Sequence, residues 1–175
     1  MNICLYGSGS RKIDKIYTDE AYELGCMMAQ KGHTLVFGGG DTGMMGWCAK
    51  GVHENGGNSI GIAPEWIGNF EPLCEECGEF IYVDTMDERK NKFLQHSDAF
   101  IISPGGIGTL DEFFEIITLK KLKQHNKKII VFNVNNFFDK MFEMIDELGE
   151  KGFLYKQEEL FTIANSIDEI FNSLE

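Results

Sequence analysis

Several features of other protein classes are missing from this chain of 175 residues. It has no long apolar run, and its N-terminus enters a strand-like segment without a basic region, so we expect no membrane span and no targeting segment. Acidic residues outnumber lysine and arginine, which gives a net charge of −12. Because nucleic acids and anionic membranes bind clustered positive charge, we expect neither as a partner. These absences together favour a cytoplasmic protein.

Two common nucleotide-binding motifs are also missing. No Gly-Lys-Ser or Gly-Lys-Thr closes a glycine loop, so the chain is not a P-loop NTPase. The first glycine turn contains Gly7 and Gly9, but Lys12 occupies the position of the third glycine in the dinucleotide fingerprint. No acidic residue at the end of a second strand is available to bind a ribose, so we do not expect NAD or FAD.

The chain has an odd number of cysteines, and their positions do not indicate a disulfide framework. Most of the five cysteines lie in apolar segments, as reduced core thiols do: Cys4, Cys26, Cys48, Cys74 and Cys77. The last two have the spacing of a metal or redox pair, but no second Cys or His pair follows nearby. Because a structural zinc ion needs four ligands, we predict no metal site.

What the chain does contain is a regular alternation of strand and helix patterns. The predicted strands are 3–6, 34–37, 59–63, 80–83, 99–102 and 129–133, and the predicted helices are 19–31, 43–55, 86–96, 109–123, 137–151 and 167–174. Residues 64–79 are expected to form a loop or short helix over one sheet edge. This order predicts an α/β fold, a Rossmann-like doubly wound parallel sheet with helices on both faces. Without an internal repeat or linker, residues 1–175 are expected to form one nucleotide-binding domain.

Three glycine-rich turns, at residues 7–10, 38–43 and 104–109, follow three of these strands. In an open parallel sheet such turns gather at the carboxyl ends of the strands, where ligands bind. Three turns in corresponding positions therefore predict a nucleotide-type pocket.

The most informative turn lies in the stretch Ser103-Pro104-Gly105-Gly106-Ile107-Gly108-Thr109-Leu110-Asp111-Glu112. Its glycines allow close approach of a ligand, and the helix that follows offers free N–H groups and a positive dipole end to a phosphate. Glu112 adds a carboxylate where a bound anion would repel it, which favours a reaction on a phosphorylated substrate. An alternative stays open, because Thr109 and Glu112 also fit a capping box.

Arg89 is the second candidate for chemistry. It is predicted on or beside the buried stripe of helix 86–96, which Met86, Phe93 and Leu94 form. It is either an ordinary salt-bridged arginine that reaches solvent or a fork for a phosphate or for a carboxylate such as Glu112.

Together these motifs resemble the LOG ("lonely guy") family of cytokinin riboside 5′-monophosphate phosphoribohydrolases. The family pattern Pro-Gly-Gly-x-Gly-Thr-x-x-Glu is matched by Pro104, Gly105, Gly106, Gly108, Thr109 and Glu112, and its Arg-Lys pair is matched by Arg89 and Lys90. Residues 38–46 are also similar. The chain departs from the pattern at Asp87 (usually His), at Ile107 (commonly aromatic) and across residues 64–79.

The resemblance implies hydrolysis of the N-glycosidic bond of a cytokinin riboside 5′-monophosphate or an AMP-type nucleotide, by a homodimer without an organic cofactor. It implies a catalytic pair, Arg89 and Glu112. It implies substrate-binding positions at Gly39, Gly40, Glu71, Lys90, Gly105, Gly106, Ile107, Gly108, Thr109, Leu110, Asp111 and Thr118. We expect Arg89 to hold Glu112 ionised, because a neighbouring cation lowers the pKa of a carboxyl group.

Two other functions stay open. One is a non-catalytic nucleotide or molybdenum-cofactor carrier with the same architecture. The other is a lysine decarboxylase, a label attached to this family, but no lysine here has the context of a Schiff-base residue in a pyridoxal-phosphate site.

Overall fold

The computed structural model describes residues 1–154 and 159–175, in which strands and helices alternate. The strands are β1 (Asn2–Tyr6), β2 (Thr34–Phe37), β3 (Asn58–Pro64), β4 (Glu79–Val83), β5 (Ala99–Ile102), β6 (Lys128–Phe132) and β7 (Thr162–Ala164). The α-helices are α1 (Lys15–Gln30), α2 (Gly43–Glu54), α3 (Met86–His96), α4 (Ile107–Lys121), α5 (Asp139–Glu150) and α6 (Ile167–Leu174). Short 3-10 helices occupy Glu65–Asn69 and Val134–Asn136.

The seven strands form one sheet in the order β4-β3-β2-β1-β5-β6-β7, and each neighbouring pair is parallel. The chain starts in the middle at β1, builds outward to β4, and returns to the other side of β1 with β5. The predicted doubly wound α/β fold is therefore confirmed. Between β1 and β5 the connections diverge, and a crevice opens at the carboxyl ends of these two strands.

Side chains that alternate along the strands supply two apolar cores, one on each face of the sheet. In β1, Ile3 and Leu5 belong to the core beneath α1, α2 and α6, whereas Cys4 and Tyr6 belong to the core beneath α3, α4 and α5. Both faces of the central strands are buried, which explains their nearly continuous apolar sequences.

Three differences from the sequence-based prediction have local causes. Helix α1 begins at Lys15 rather than at residue 19, because its first buried residue is Ala21 and the apolar Ile16 of its first turn is exposed. Helix α4 begins at Ile107, whose side chain is 83% exposed. Strand β7 was not predicted, since two of its three residues are exposed.

The predicted loop or short helix at residues 64–79 contains the 3-10 helix Glu65–Asn69. It continues into a segment that pairs antiparallel with the second glycine turn through Leu73 and Gly40. In the described part of the chain, no helix combines the length and the hydropathy that crossing a lipid bilayer requires.

Candidate active site

The glycine turns converge at the crevice between β1 and β5. The Ser8 N–H donates to Pro104 O at 3.0 Å, and the Met45 N–H donates to Ser8 O at 3.3 Å. The Thr42 hydroxyl donates to Gly9 O at 2.6 Å. These bonds tie the turns after β1, β2 and β5 into one rigid rim, as the three turn positions predicted.

A cavity of about 540 Å³ opens at this rim. Seven predicted site residues line it: Glu71, Arg89, Gly106, Gly108, Thr109, Asp111 and Glu112. The first glycine turn contributes Gly7, Ser8 and Gly9 to the opposite wall. Residues far apart in sequence are thus brought together where an open α/β sheet binds ligands.

The N-terminus of α4 forms one wall of the cavity. Its first helical bond runs from the Leu110 N–H to Gly106 O at 3.0 Å, so the N–H groups of Ile107, Gly108 and Thr109 have no acceptor within the helix. A Cβ added at Gly106 or at Gly108 would meet no atom within 4 Å. The structure therefore offers both the N–H donors and the open space that a phosphate group needs.

The capping-box interpretation of Thr109 and Glu112 is wrong. Thr109 is the third residue of α4, and Gly106, which caps the helix, makes no side-chain cap bond. The Glu112 carboxylate is therefore not committed to the helix end, and it lines the cavity instead.

The electrostatics of Glu112 differ from the prediction that Arg89 keeps it ionised. Burial raises the pKa of Glu112 to about 7, because it outweighs the lowering by Arg89. Nearby Asp111 and Glu115 raise this pKa further, whereas Lys90 lowers it. A carboxyl group with a pKa near neutrality exists in both protonation states at physiological pH, which is typical of acid–base residues.

Arg89 is buried, with 6% of its surface exposed, so it is not a salt-bridged arginine that reaches solvent, and it makes no fork with Glu112 in the described part of the chain; the fork for a phosphate stays a prediction. Its Nε donates to Ile62 O and its Nη2 to Gly38 O, both at 2.9 Å. Among the described residues it has no ion pair with a carboxylate. Arg89 thus fixes α3 against β3 and the second glycine turn, and it places an uncompensated positive charge beside Glu112.

The predicted buried stripe of α3 also needs a correction at Met86. Phe93 is buried in the core, but the Met86 side chain is 39% exposed and lines the cavity. The Met86 sulfur lies 3.9 Å from Arg89 Nη1. The residue therefore belongs to the pocket wall rather than to the core.

Seven predicted binding residues lie outside the lining of this cavity: Gly39, Gly40, Lys90, Gly105, Ile107, Leu110 and Thr118. The exposed Thr118 side chain bonds Phe114 O in its own helix, and Gly39 packs on the ring of Phe80. Lys90 pairs with Asp111 and Glu115, and these contacts raise the pKa of Lys90 and join α3 to α4.

Glu71, the prediction from the most divergent segment, does reach the cavity. A Cβ added at Gly9 would lie 3.0 Å from Glu71 Oε2, and a Cβ added at Gly40 would lie 3.6 Å from Glu71 Oε1. The absence of a side chain at Gly9 therefore makes room for the carboxylate, whereas a Cβ at Gly40 would be in ordinary van der Waals contact with it.

An apolar wall was missed by sequence reasoning. It consists of Met45, Trp66, Ile67, Phe70 and Met86. The rings of Trp66 and Phe70 meet edge to face with centroids 6.2 Å apart, and Phe70 is 81% exposed. The sequence indicated this wall only through two aromatic residues, Trp66 and Phe70, which lie four positions apart in segment 64–79.

In residues 1–154 and 159–175, no group of three or more His, Cys, Asp or Glu side chains is arranged to hold a metal ion.

The fold and the pocket define a Rossmann-like α/β protein in which a helix N-terminus with free N–H groups and an acidic side chain line one cavity. A family model described as "Possible lysine decarboxylase" matches residues 45–174. Cytokinin riboside 5′-monophosphate phosphoribohydrolase LOG3 of Arabidopsis thaliana is 36% identical over 174 residues, covering 99% of this chain and 81% of the relative. The rice enzyme LOG is 38% identical over 152 residues, 87% of this chain and 63% of the relative. The chain belongs to the LOG family.

Solved structures share the fold at lower identity. A molybdenum cofactor binding protein from Rippkaea orientalis superposes with a TM-score of 0.73 at 22% identity, covering 99% of this chain and 93% of that one. The molybdenum cofactor carrier protein of Chlamydomonas reinhardtii gives the same score and identity, covering 94% of its own chain. At this identity the similarity shows the fold alone.

Proposed function

We propose that this protein hydrolyses the N-glycosidic bond of a nucleoside 5′-monophosphate and releases a free base and ribose 5-phosphate. The observation that carries the proposal is Glu112, a partly buried carboxyl group in the cavity formed by the α4 N-terminus. Relatives at 36% and 38% identity are named as phosphoribohydrolases, which supports the same reaction class here.

Substrate binding begins at the 5′-phosphate. The N–H groups of Ile107, Gly108 and Thr109 and the dipole of α4 hold the phosphate, and Gly106 and Gly108 leave space for it. The charge of Arg89, which lines the same cavity, adds attraction. Anchoring the phosphate positions the ribose, so that binding energy far from the reacting bond aids the reaction.

Glu112 acts on the ribose ring. Cleavage of a ribosyl–base bond passes through an oxocarbenium-like transition state, which a nearby carboxylate stabilises electrostatically. The same carboxylate orients the attacking water and accepts its proton. Glu71, on the other side of the cavity, is an acceptor for ribose hydroxyl groups.

The base lies against the apolar wall. Trp66 and Phe70 offer aromatic surface and Met45 and Met86 offer flexible thioethers, which suit a planar adenine-type base with or without an apolar substituent. Both a cytokinin-type nucleotide and plain AMP fit this description.

The carrier and decarboxylase alternatives have less support. A carrier has no need of a partly buried carboxyl group with a raised pKa beside its anion site. A Schiff base requires a neutral amine, yet the contacts of Lys90 with Asp111 and Glu115 favour its charged form.

A cytoplasmic homodimer remains part of the proposal. The five free cysteines favour a reducing compartment, and the net charge of −12 disfavours nucleic-acid and membrane partners. Phe113 is buried in the core and so does not call for a partner subunit, but Leu122, Met144, Leu148 and Phe153 expose apolar surface. Sedimentation velocity should give the mass of two chains, and a monomer at all concentrations would contradict this part.

A substrate screen tests the function. The protein is incubated with AMP, an N6-isoprenoid AMP, GMP, CMP and the matching unphosphorylated nucleosides, and released base is measured by HPLC. We expect release from adenine-type 5′-monophosphates and little from the nucleosides, since those lack the anchor. Binding of nucleotides without release of base would favour the carrier.

A further inference from the structure

Cys74 and Cys77 enclose a tight turn outside the substrate cavity. Glu75 and Glu76 form this turn, and the Cys77 thiol is a hydrogen-bond partner of the Cys74 sulfur. The Cα atoms at the ends of a four-residue turn are less than about 7 Å apart, a separation that a disulfide spans. Both cysteines are free thiols, so the two sulfurs are placed for joining within the chain.

The surroundings favour the thiolate form of Cys74. The hydrogen bond from Cys77 lowers the pKa of Cys74 to about 7, and the Glu76 N–H contributes to this lowering. Burial and the charges of Asp41 and Glu76 act in the opposite direction but are outweighed. A thiolate is the nucleophile in disulfide exchange, so Cys74 is the attacking sulfur of the pair.

The polar side chains of Ser59, His53 and Glu76 form a series of contacts that begins at the Cys77 sulfur. The fully buried Ser59 hydroxyl bonds the Cys77 sulfur, and His53 Nε2 lies 2.7 Å from Ser59 Oγ. His53 Nδ1 in turn lies 3.4 Å from a Glu76 carboxylate oxygen. The Ser59 contact acts to lower the pKa of Cys77, but the hydrogen bond with Cys74 and burial outweigh it and raise this pKa, so Cys77 keeps its proton until Cys74 has reacted.

A cavity gives small molecules a route to the pair, in which Cys77 is partly exposed and Cys74 is 7% exposed. Both cysteines line a cavity of about 520 Å³ together with Phe80 and Tyr82. This cavity is separate from the one that contains Glu112.

The turn is also attached to the substrate site. The Cys74 N–H donates to Gly39 O at 2.8 Å, and the Asp41 N–H donates to Pro72 O at 3.0 Å. These bonds hold the strand-like segment that begins at Glu71, whose carboxylate lines the substrate cavity. A change of covalent state at Cys74 therefore bears directly on the placement of Glu71.

We propose that Cys74 and Cys77 form a redox-active dithiol that a small disulfide such as oxidised glutathione converts to an intramolecular disulfide, which constrains the segment that carries Glu71 into the substrate cavity. The Cys74 thiolate attacks one sulfur of glutathione disulfide, forms a mixed disulfide and releases one glutathione thiolate. Cys77 then attacks the Cys74 sulfur and releases the second glutathione, which takes up the proton that Cys77 loses. Two electrons pass from the protein to glutathione disulfide, and two glutathione molecules result.

Mass spectrometry tests the chemistry without reference to catalysis. After incubation with oxidised glutathione, the intact protein should lose two hydrogens in mass, and digestion should give a linked peptide containing both cysteines, reversed by dithiothreitol. Cys77→Ser should instead trap a glutathione adduct on Cys74, whereas the control Cys26→Ser should behave as the wild type. An unchanged mass in the wild type, or adducts spread equally over the other cysteines, would overturn the proposal.

The link to Glu71 rests on the proposed function and is tested by activity. Base release by the reduced protein is measured first, so that failure of the function itself is recognised independently. Oxidation should then lower kcat/KM by about tenfold, restored by dithiothreitol. The control Cys26→Ser should lose activity on oxidation to the same extent. A fully formed disulfide with unchanged kcat/KM would contradict the link between the dithiol and Glu71.

Discussion

Glu112 is an acidic side chain held where an unliganded protein gains nothing from its charge. Burial and two neighbouring carboxylates raise its pKa to about 7, although Arg89 and Lys90 lie close enough to lower it. Such an arrangement is unfavourable for stability and favourable for a reaction that develops positive charge on a sugar ring. The two consequences can be measured separately.

The stability consequence is tested by Glu112→Gln. Because the folded pKa lies above the ordinary value of 4.5, protonation stabilises the fold below that value, and this contribution is lost as the pH rises through about 7. The neutral glutamine avoids the loss, so the variant should be more stable than the wild type by up to about 3 kcal/mol at alkaline pH, converging at acidic pH. Urea unfolding at both pH values measures the difference. A variant that is less stable than the wild type at alkaline pH would contradict the placement of Glu112.

The catalytic consequence appears in the pH profile. If the carboxylate is the working form, kcat/KM should rise through an inflection near pH 7, because this ratio reports the free enzyme. Asp111 raises the pKa of Glu112, so Asp111→Asn should move the inflection to lower pH. An inflection that stays in place in this variant would assign the titration to the substrate phosphate or to another group.

Sequence patterns predicted the grouping of these side chains only where the motif residues lie close together in the chain. Glu112 and the glycines before it share one helix start, so their spacing already implied a common site. The salt bridge and the fork with Glu112 that were predicted for Arg89 are absent from the described residues, because its guanidinium group donates to backbone carbonyls of β3 and of the turn after β2. Trp66 and Phe70 were missed because only the tertiary fold turns their segment toward the cavity.

In helix α4, a substitution at one glycine should affect ligand binding and the stability of the fold in opposite directions. At Gly108 an added Cβ meets no protein atom, yet it would occupy the space proposed for phosphate. Gly108→Ala should therefore raise the stability of the helix by about 0.5–1 kcal/mol while increasing KM for the nucleotide. Thermal unfolding and steady-state kinetics measure the two effects.

Gly105→Ala provides the contrast for this prediction. There the new Cβ would lie 2.1 Å from the Thr109 hydroxyl oxygen, so this variant should lose stability as well as activity. If Gly108→Ala were instead destabilising with an unchanged KM, the glycine would serve the helix rather than a ligand.

The boundaries of helices and strands were predictable where buried positions produce a periodic pattern of apolar residues in the sequence. Strands β2 and β5 and helices α3 and α6 begin and end where the sequence placed them. The first turn of α1 escaped prediction because it contains no fully buried residue, and β7 escaped it because two of its three residues are exposed.

The order of the strands in the complete sheet could not be predicted from local sequence patterns. Alternation of strands and helices predicted parallel pairing, but the neighbours of β1 are two strands that lie about thirty and about a hundred residues away. This non-local pairing creates the crevice, and no local pattern of residues encodes it.

A single-domain organisation over residues 1–175 remains a prediction. Because all seven strands form one sheet with a core on each face, we expect one cooperative unfolding transition. Far-ultraviolet circular dichroism and the fluorescence of Trp47 and Trp66 should give the same urea midpoint. Clearly separated midpoints would indicate two independently folding units.

The most direct test of the proposed reaction compares two neighbouring glutamates of α4. Base release from AMP is measured for Glu112→Gln, which removes the carboxylate from the cavity, and for Glu115→Gln, which removes the partner of Lys90 outside it. We predict that the first substitution lowers kcat by at least about 100-fold while nucleotide binding persists, and that the second lowers it by less than about tenfold. Undiminished base release by a folded Glu112→Gln protein would contradict the assignment of Glu112 to catalysis.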